Sequence, residues 1–160
     1  MTITVGSRVP AGKFKISTAD GLADLTTAQL FDGKRVVLFA VPGAFTPTCD
    51  ARHLPGYVEL SGQLRAKGVD TVACLAVNDV FVMKAWAKAS NVGDKVLMLA
   101  DGNGDYSRAL GLSLDASGFG MGQRAQRFAM VVNDGVVEQL LVEAPGKFEV
   151  SAADYVLARV

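Results

Sequence analysis

The stretch "RVVLFAVPGAFTPTCDARHLPG", residues 35–56, decides the fold because an apolar run in it passes directly into a helix start. The run "RVVLFAV" (35–41) is almost continuously apolar, as is typical of a strand that is covered on both faces of its sheet. Pro42 and Gly43 end the strand, and Thr46 follows as a candidate helix cap, with a proline next in the chain that suits the first helical position. The stretch therefore predicts a buried strand whose carboxyl end leads into a helix.

Cys49 is expected in the first turn of this helix. Backbone N–H groups lack helical partners there and the helix macrodipole is positive, so a nucleophilic thiolate is favoured. The alternative is a small apolar side chain packed under the helix. Because α/β proteins usually bind ligands at the carboxyl ends of their strands, the pattern favours a reactive thiol over a structural one.

The chemistry of this thiol is indicated by its neighbours. Thr46 stands where a disulfide exchanger of the Cys-x-x-Cys type has its first cysteine, so Cys49 has no nearby thiol in the chain to exchange with. A lone activated thiolate suits attack on an electrophile, and peroxide, which converts it to a sulfenic acid, is the simplest one. Cys74 is the other cysteine, and since "MTITVGSRVP" lacks an export signal, both are expected as thiols in a reducing, cytoplasmic setting.

The composition is that of an ordinary globular protein, with 50% hydrophobic and 20% charged residues among 160. This length predicts one domain, residues 1–160. Lysine plus arginine equals aspartate plus glutamate at 16 each. The balance provides no basic excess for nucleic acid or an anionic membrane, and the longest apolar run is too short to span a bilayer, so neither is expected as a partner.

Strands and helices alternate along the rest of the chain. Buried strands are expected at 70–77 and 95–99, with a helix at 79–90 between them. Further expectations are a helix over 48–68 kinked at Pro55-Gly56, short strands at 2–5 and 13–17, a short helix near 105–111, a hairpin over 127–143 that turns at Asn133-Asp134-Gly135, and a C-terminal helix at 151–160 capped by Ser151. This order predicts an α/β protein with a thioredoxin-like fold, in which helices flank a mixed central sheet that carries an N-terminal hairpin extension.

The octapeptide "PGAFTPTC" (42–49) resembles the active-site signature of peroxiredoxins, in the Pro-x-x-x-Thr-x-x-Cys form of the type II, or peroxiredoxin-5-like, subgroup. The similarity continues through "HLPGY" (53–57), "CLAVNDVFVMKAW" (74–86) and "QRFAMVVNDG" (126–135), and so covers nearly the whole chain. It implies a thioredoxin fold and a thiol peroxidase that reduces hydrogen peroxide and organic hydroperoxides without a bound cofactor. It also implies a homodimer packed through the active-site edges, with Phe45 and the "HLPGY" segment at the contact.

The resemblance implies roles residue by residue. Cys49 matches the peroxidatic cysteine, and Thr46 matches the threonine whose hydroxyl holds the peroxide. Pro42 matches the proline that shields the thiolate, and Arg127 matches the arginine that stabilises the thiolate and polarises the O–O bond. Arg124 is similar to a second arginine of the subgroup. Without the resemblance, Arg127 would be interpreted as a solvated charge at a strand end.

Two aromatic residues and one acidic residue complete the expected site. Phe45, within the signature, and Phe119, in the glycine-rich loop 118–122, are expected to flank the substrate pocket. Asp50 departs from the subgroup, which commonly has a small residue such as serine after the cysteine. Its negative charge beside Cys49 would disfavour a thiolate, unless the carboxylate points to solvent and is screened.

Cys74 has two interpretations. It is either a buried core cysteine of the 70–77 strand or a resolving cysteine that condenses with the sulfenic acid at Cys49. Disulfide geometry favours the first, because a thiol in a central strand cannot bridge to a helix start without local unwinding. Since residues 142–160 contain no cysteine, an external thiol is expected to resolve the sulfenic acid. Glutathione with glutaredoxin is favoured, and thioredoxin competes if Cys74 takes part.

His53 lies four residues after Cys49 on the same helical face, so the Cys-His dyad of a hydrolase is a rival interpretation. The sequence shows no third group to orient the imidazole, which favours a structural hydrogen-bonding role instead. A peroxide-sensing thiol switch and a holdase with little turnover are the other rivals. No metal is expected, because the calcium-like start "DGNGDYS" (101–107) lacks the glycine and the glutamate that such a loop requires.

Overall fold

The computed structural model describes residues 1–160, which form nine strands and five α-helices. The strands are β1 (Lys13–Thr18), β2 (Gly21–Thr26), β3 (Arg35–Ala40), β4 (Thr71–Ala76), β5 (Leu97–Ala100), β6 (Ser113–Asp115), β7 (Gln123–Ala125), β8 (Phe128–Asn133) and β9 (Val136–Val142). The helices are α1 (Thr27–Phe31), α2 (Leu54–Ala66), α3 (Val80–Ala89), α4 (Asp105–Leu110) and α5 (Ala153–Leu157). None of them is long and apolar enough to cross a bilayer.

Seven strands form one mixed sheet in the order β2-β1-β5-β4-β3-β8-β9. The three central strands β5, β4 and β3 are parallel, and antiparallel strands flank them on both sides. The β1–β2 pair is the N-terminal hairpin, and β8 and β9 form the expected hairpin, with positive φ angles at Asp134 and Gly135 in its turn. The predicted α/β fold with a mixed central sheet is confirmed.

β3 shows how the core is organised around the sheet. Its side chains from Val36 to Ala40 have no exposed surface, so the strand is covered on both faces as its apolar run predicted. Because side chains alternate across a strand, Phe39 packs in the layer that contains α2, α3 and α5, whereas Leu38 packs in the layer with α1 and α4. Cys49 belongs to the first layer and follows the carboxyl end of β3.

Two local predictions near the termini are wrong. Residues 2–5 are not a strand, because their backbone is satisfied elsewhere: Ile3, for example, donates its N–H to the carbonyl of Leu110 at 2.9 Å. The partner of β1 in the hairpin is β2 instead. Ser151 does not cap the last helix, which begins after Ala152, because the Ser151 hydroxyl donates to the Glu143 carboxylate at 2.6 Å.

The helix expected over 48–68 is divided. Cys49–His53 form a π-helical turn that continues directly into α2 at Leu54, and Pro55 has no N–H to donate back to this turn. The irregularity therefore lies in the turn before Pro55-Gly56. α1 was not predicted, although Thr26 and Gln29 form a capping box that marks its start, and neither was the short β6–β7 pair.

Candidate active site

The loop between β3 and the π-helical turn is held by side chains on both sides. Asn78, which follows β4, accepts the backbone N–H of Ala44 at 2.9 Å. Thr46 was expected to cap the helix through its hydroxyl, but that hydroxyl donates to the carbonyl of Gly43 at 2.7 Å. The Thr46 carbonyl accepts the N–H of Asp50 at 2.8 Å, so the first helical turn does begin here. Cys49 accordingly lies in that first turn, as predicted.

Arg127 reaches Cys49 directly. Its Nη2 lies 3.1 Å from the Cys49 sulfur, within hydrogen-bonding distance for a sulfur acceptor. β8 begins at Phe128, which is paired with Ala40 at the end of β3, so the neighbouring strand carries the guanidinium to the place where the Cys49 loop starts. The Cys49 side chain has no exposed surface, and Pro42 is half-buried in the same loop. Arg127 provides the sulfur with a permanent positive charge.

His53 orients this arginine. Its Nδ1 lies 2.8 Å from Arg127 Nη1, and its Nε2 lies 3.0 Å from the carbonyl oxygen of Ser151. Because arginine can only donate, Nδ1 is the acceptor and Nε2 carries the hydrogen. Burial, with the Arg127 charge adding to it, lowers the pKa of His53 to about 3, so the ring is neutral at physiological pH. With its lone pair bonded to Arg127, the imidazole is not the base of a Cys-His dyad.

The Ser151 carbonyl is fixed in turn by buried polar groups. The Tyr57 hydroxyl donates to it at 2.7 Å. Glu143 Oε2 accepts the Ser151 N–H at 2.8 Å and the Glu149 N–H at 2.7 Å. Burial acts to raise the pKa of Glu143, but these bonds and the one from the Ser151 hydroxyl outweigh it, so the pKa lies below its usual value. The segment before α5 thus supports His53, and through it the guanidinium beside the sulfur.

Arg124 packs against the cysteine loop without touching the sulfur. Its Nε donates to the Met121 carbonyl at 2.9 Å and its Nη1 to the Val77 carbonyl at 3.3 Å. A Cβ atom at Gly43 would lie 3.2 Å from Arg124 Nη1 and 3.0 Å from Thr46 Cγ2. Glycine at position 43 therefore lets Arg124 and Thr46 approach the same stretch of backbone.

The two aromatic residues expected at the substrate pocket are exposed to different degrees. Phe45 is 49% exposed and has a positive φ of 63°, which is uncommon for a residue with a bulky side chain. Phe119 is 84% exposed and ends the 3₁₀ turn Ser117–Phe119. Their contact with substrate stays a prediction. The expected dimer contact through "HLPGY" also stays a prediction: Pro55 is exposed and Gly56 is half-buried, whereas His53, Leu54 and Tyr57 have no exposed surface in the single chain.

Asp50, the departure from the subgroup, bonds to a second helix. Its Oδ1 accepts the indole N–H of Trp86 at 2.8 Å, although the two residues are 36 positions apart in the sequence. Trp86 lies on α3 and has no exposed surface. This partner of Asp50 was not predicted, because no local sequence pattern indicates it.

Cys74 lies in the middle of β4, between Phe39 of β3 and Met98 of β5 in the sheet. Its side chain has no exposed surface, and both cysteines are free. Burial, and secondarily the negative charge of a Cys49 thiolate, raise the pKa of Cys74 well above its ordinary value. Whether Cys74 resolves the sulfenic acid stays a prediction.

Comparison with known proteins gives the family. The family model described as Redoxin matches residues 4–157. Peroxiredoxin-2B of Arabidopsis thaliana is 46% identical over 156 residues, which are 97% of this chain and 96% of that protein. The chloroplastic peroxiredoxin-2E-2 of Oryza sativa subsp. japonica is 48% identical over 98% of this chain and 72% of its own length.

Solved structures agree with these relatives. Reduced Prx3 of Vibrio vulnificus in complex with hydrogen peroxide superposes with a TM-score of 0.95 at 52% identity, covering 99% of each chain. Peroxiredoxin 5 of Alvinella pompejana superposes with a TM-score of 0.85 at 33% identity, covering 98% of this chain and 96% of that one. The chain therefore belongs to the Redoxin family and, within it, to the type II peroxiredoxins, which are thiol peroxidases.

Proposed function

We propose that this protein reduces hydrogen peroxide and organic hydroperoxides through a sulfenic acid on Cys49. The observation that supports this most strongly is the 3.1 Å contact between Arg127 Nη2 and the Cys49 sulfur, with neutral His53 bonded to the other Nη atom of the same guanidinium. A permanent positive charge in a water-poor site stabilises a thiolate and the negative charge that grows on a leaving oxygen.

The first step is an in-line displacement at oxygen. The Cys49 thiolate attacks the terminal peroxide oxygen, an S–O bond forms, and the O–O bond breaks. The leaving oxygen takes up a proton and departs as water or alcohol, and Cys49 is left as a sulfenic acid. Thr46 already uses its hydroxyl hydrogen on the Gly43 carbonyl, so its oxygen is free to accept the hydrogen of the peroxide. Pro42 shields the sulfur from solvent.

An external thiol completes the cycle. A first thiol attacks the Cys49 sulfenic acid, releasing water and forming a mixed disulfide, and a second thiol releases Cys49 as the free thiol. We infer that glutathione with glutaredoxin supplies these thiols. The inference is supported by the position of Cys74 in the middle of a central strand with no exposed surface, and by the lack of any cysteine after it in the sequence.

The test is peroxide consumption by wild type and by Cys74→Ser, each with glutathione plus glutaredoxin and with thioredoxin plus its reductase. We expect turnover with glutaredoxin in both proteins, with most of the activity retained in the variant. Loss of that turnover in a folded Cys74→Ser protein would make Cys74 the resolver. Stoichiometric oxidation of Cys49 without turnover on either reductant would indicate a peroxide sensor instead.

We also propose a homodimer formed at the active-site edge around Phe45. The half-exposed aromatic ring of Phe45 at the start of the cysteine turn supports this position. Within "HLPGY", Pro55 is exposed and Gly56 half-buried, so these two residues are the ones that could join Phe45 at the contact. Sedimentation equilibrium measures the assembly, and a monomer at high protein concentration would contradict it.

A further inference from the structure

The residue after the nucleophile is bonded to a different helix. Asp50 Oδ1 accepts the indole N–H of Trp86 at 2.8 Å, and Trp86 has no exposed surface. The indole nitrogen is a donor only, and a buried donor without an acceptor is destabilising. No buried side-chain polar atom lacks a partner in this protein, and for Trp86 that partner is Asp50. The bond therefore joins α3 to the turn that holds Cys49.

Trp86 also packs against the loop that precedes this turn. The ring of Phe45 lies 6.3 Å from the Trp86 ring, centroid to centroid, at an angle of 50°. Phe45 precedes Cys49 by four positions and has a φ of 63°. Trp86 thus contacts the chain just before and just after the nucleophile.

The turn itself is a weak helical element. Cys49–His53 form a π-helical turn, which is closed by the Leu54 N–H bonded to the Cys49 carbonyl. Such wide turns are rare and are found mostly at functional sites. The Asp50–Trp86 bond, which a carboxylate acceptor strengthens, is one of the contacts that hold this turn in place, together with the bonds of His53 to Arg127 and to the Ser151 carbonyl.

Access of a thiol to the Cys49 sulfur requires the turn to move. This step rests on the proposed function, in which a thiol must bond to the sulfur of the Cys49 sulfenic acid. The Cys49 side chain has no exposed surface, and a thiol that bonds to its sulfur is bulkier than hydrogen peroxide, so the thiol needs the turn to open further than the peroxide does. In the closed turn the sulfur stays beside Arg127. A second peroxide can there transfer one oxygen to the sulfenic acid, which becomes a sulfinic acid, and the rest of the peroxide departs as water or alcohol.

We propose that Asp50 is a positioning residue that holds the Cys49–His53 turn closed through its hydrogen bond to Trp86, and we call this bond the latch. While the latch is intact, the sulfenic acid remains in the site that favours peroxide. When the latch breaks, the turn opens and the sulfenic acid becomes accessible to thiol. Asp50 thereby sets the ratio of thiol reduction to overoxidation, without contacting the substrate.

The test compares two neutral variants at position 50. Asp50→Asn removes the charge but keeps a carbonyl oxygen that can accept the indole N–H, whereas Asp50→Ala removes both. Glu59→Ala, which removes an exposed carboxylate from α2, controls for loss of charge on the surface. Trp86→Phe removes the indole N–H, which is the donor of the same hydrogen bond. Each protein is oxidised with one equivalent of hydrogen peroxide and mixed with thionitrobenzoate, a chromogenic thiol whose loss of colour reports formation of the mixed disulfide.

We expect Asp50→Ala to raise the rate of this thiol reaction about 10- to 100-fold, as the loss of a hydrogen bond to a charged group implies. Asp50→Asn keeps a weaker, neutral acceptor and should raise the rate by less than Asp50→Ala, whereas Glu59→Ala should stay near the wild-type rate. The fraction of sulfinic acid formed under excess peroxide should fall in Asp50→Ala, as measured by mass spectrometry. Trp86→Phe should act in the same direction, and combining it with Asp50→Ala should add little, because both break the same bond.

Equal thiol reaction rates in wild type, Asp50→Ala and Asp50→Asn would overturn the latch. Equal increases in the two Asp50 variants would also overturn it, because charge alone would then be the cause. If Trp86→Phe fails to fold, the Asp50 variants decide the question. Failure of wild type to form any sulfenic acid would overturn the proposed function and the latch with it, whereas normal formation followed by equal reduction rates overturns only the latch.

Discussion

Cys49 and Cys74 belong to the same apolar layer of the protein, and neither side chain has any exposed surface. Their surroundings nevertheless differ. Cys49 lies in a helical turn with a guanidinium nitrogen 3.1 Å from its sulfur, whereas Cys74 is paired on both sides within the central sheet. Burial raises the pKa of Cys74 well above its usual value. Equal burial thus produces one thiol with a cationic partner and one that is kept protonated.

We infer from this comparison that the partners of a buried thiol, and not its burial, set its reactivity. At Cys49 these partners form a series, in which Arg127 contacts the sulfur, His53 holds Arg127, and the Ser151 carbonyl holds His53. The series joins β8, the π-helical turn and the segment before α5. Cys74 has no such series, although Cys49 lies close enough to influence its ionisation.

The largest expected effect removes the cation from Cys49. Arg127→Gln should lower the second-order rate constant for the reaction with hydrogen peroxide by about 10²- to 10³-fold, because the growing charge on oxygen loses its principal donor. Arg124→Gln is the matched control, since Arg124 packs on the same loop without contacting the sulfur. Stopped-flow kinetics would measure both. A similar fall of the rate constant in Arg127→Gln and Arg124→Gln would show that the direct contact of Arg127 with Cys49 is not what speeds the reaction.

The second prediction concerns the neutral state of His53, which is the only histidine in the chain. The pKa of His53 is about 3 in the folded protein and close to 6.5 when unfolded, so below pH 6.5 the unfolded chain binds a proton that the folded protein does not. Its contribution to stability is therefore complete above pH 6.5 and is lost as the pH falls from there towards 3.

Denaturant unfolding between pH 6.5 and 4.5 would measure this effect. We expect the free energy of unfolding of wild type to fall by about 1.4 kcal/mol per pH unit more than that of His53→Gln. We also expect no step near pH 6.5 in the rate of the wild-type peroxide reaction. Identical pH slopes for the two proteins would show that His53 is not held neutral by its burial beside Arg127.

The smallest effect is expected at Cys74. Cys74→Ser places a hydroxyl in the apolar interior of β4, so the free energy of unfolding should fall by about 1–3 kcal/mol while the first reaction with peroxide keeps its rate. Denaturant unfolding and stopped-flow kinetics on the same preparation separate the two quantities. A slower peroxide reaction with unchanged stability would give Cys74 a direct part in the chemistry of Cys49.

The parts of the fold that follow from local pattern were predictable. The apolar run of β3 and the proline after Thr46 identified the strand, the helix start and the position of Cys49. Local pattern failed where a distant group competes: the Ser151 hydroxyl bonds to Glu143 instead of capping α5. Residues 2–5 have the composition of a strand, but Ile3 donates its N–H to the carbonyl of Leu110 at the end of α4, and Thr4 accepts the N–H of Ser7.

The site was predictable only in part. Arg127 could be selected only by resemblance, because a lone arginine at a strand start carries no signal of its own. The partners of His53 are 74 and 98 residues away, and Trp86 is 36 residues from Asp50. Such bonds depend on the packing of helices against the sheet, which no sequence pattern at either residue reports.

The central claim is that peroxide oxidises Cys49 and leaves Cys74 untouched. The most direct measurement is peptide mass spectrometry after one equivalent of hydrogen peroxide, in the presence of a reagent that traps sulfenic acids. We expect the trapped adduct on the Cys49 peptide alone, in wild type and in Cys74→Ser. An adduct on the Cys74 peptide, or none on either cysteine in a folded and reduced protein, would contradict the account.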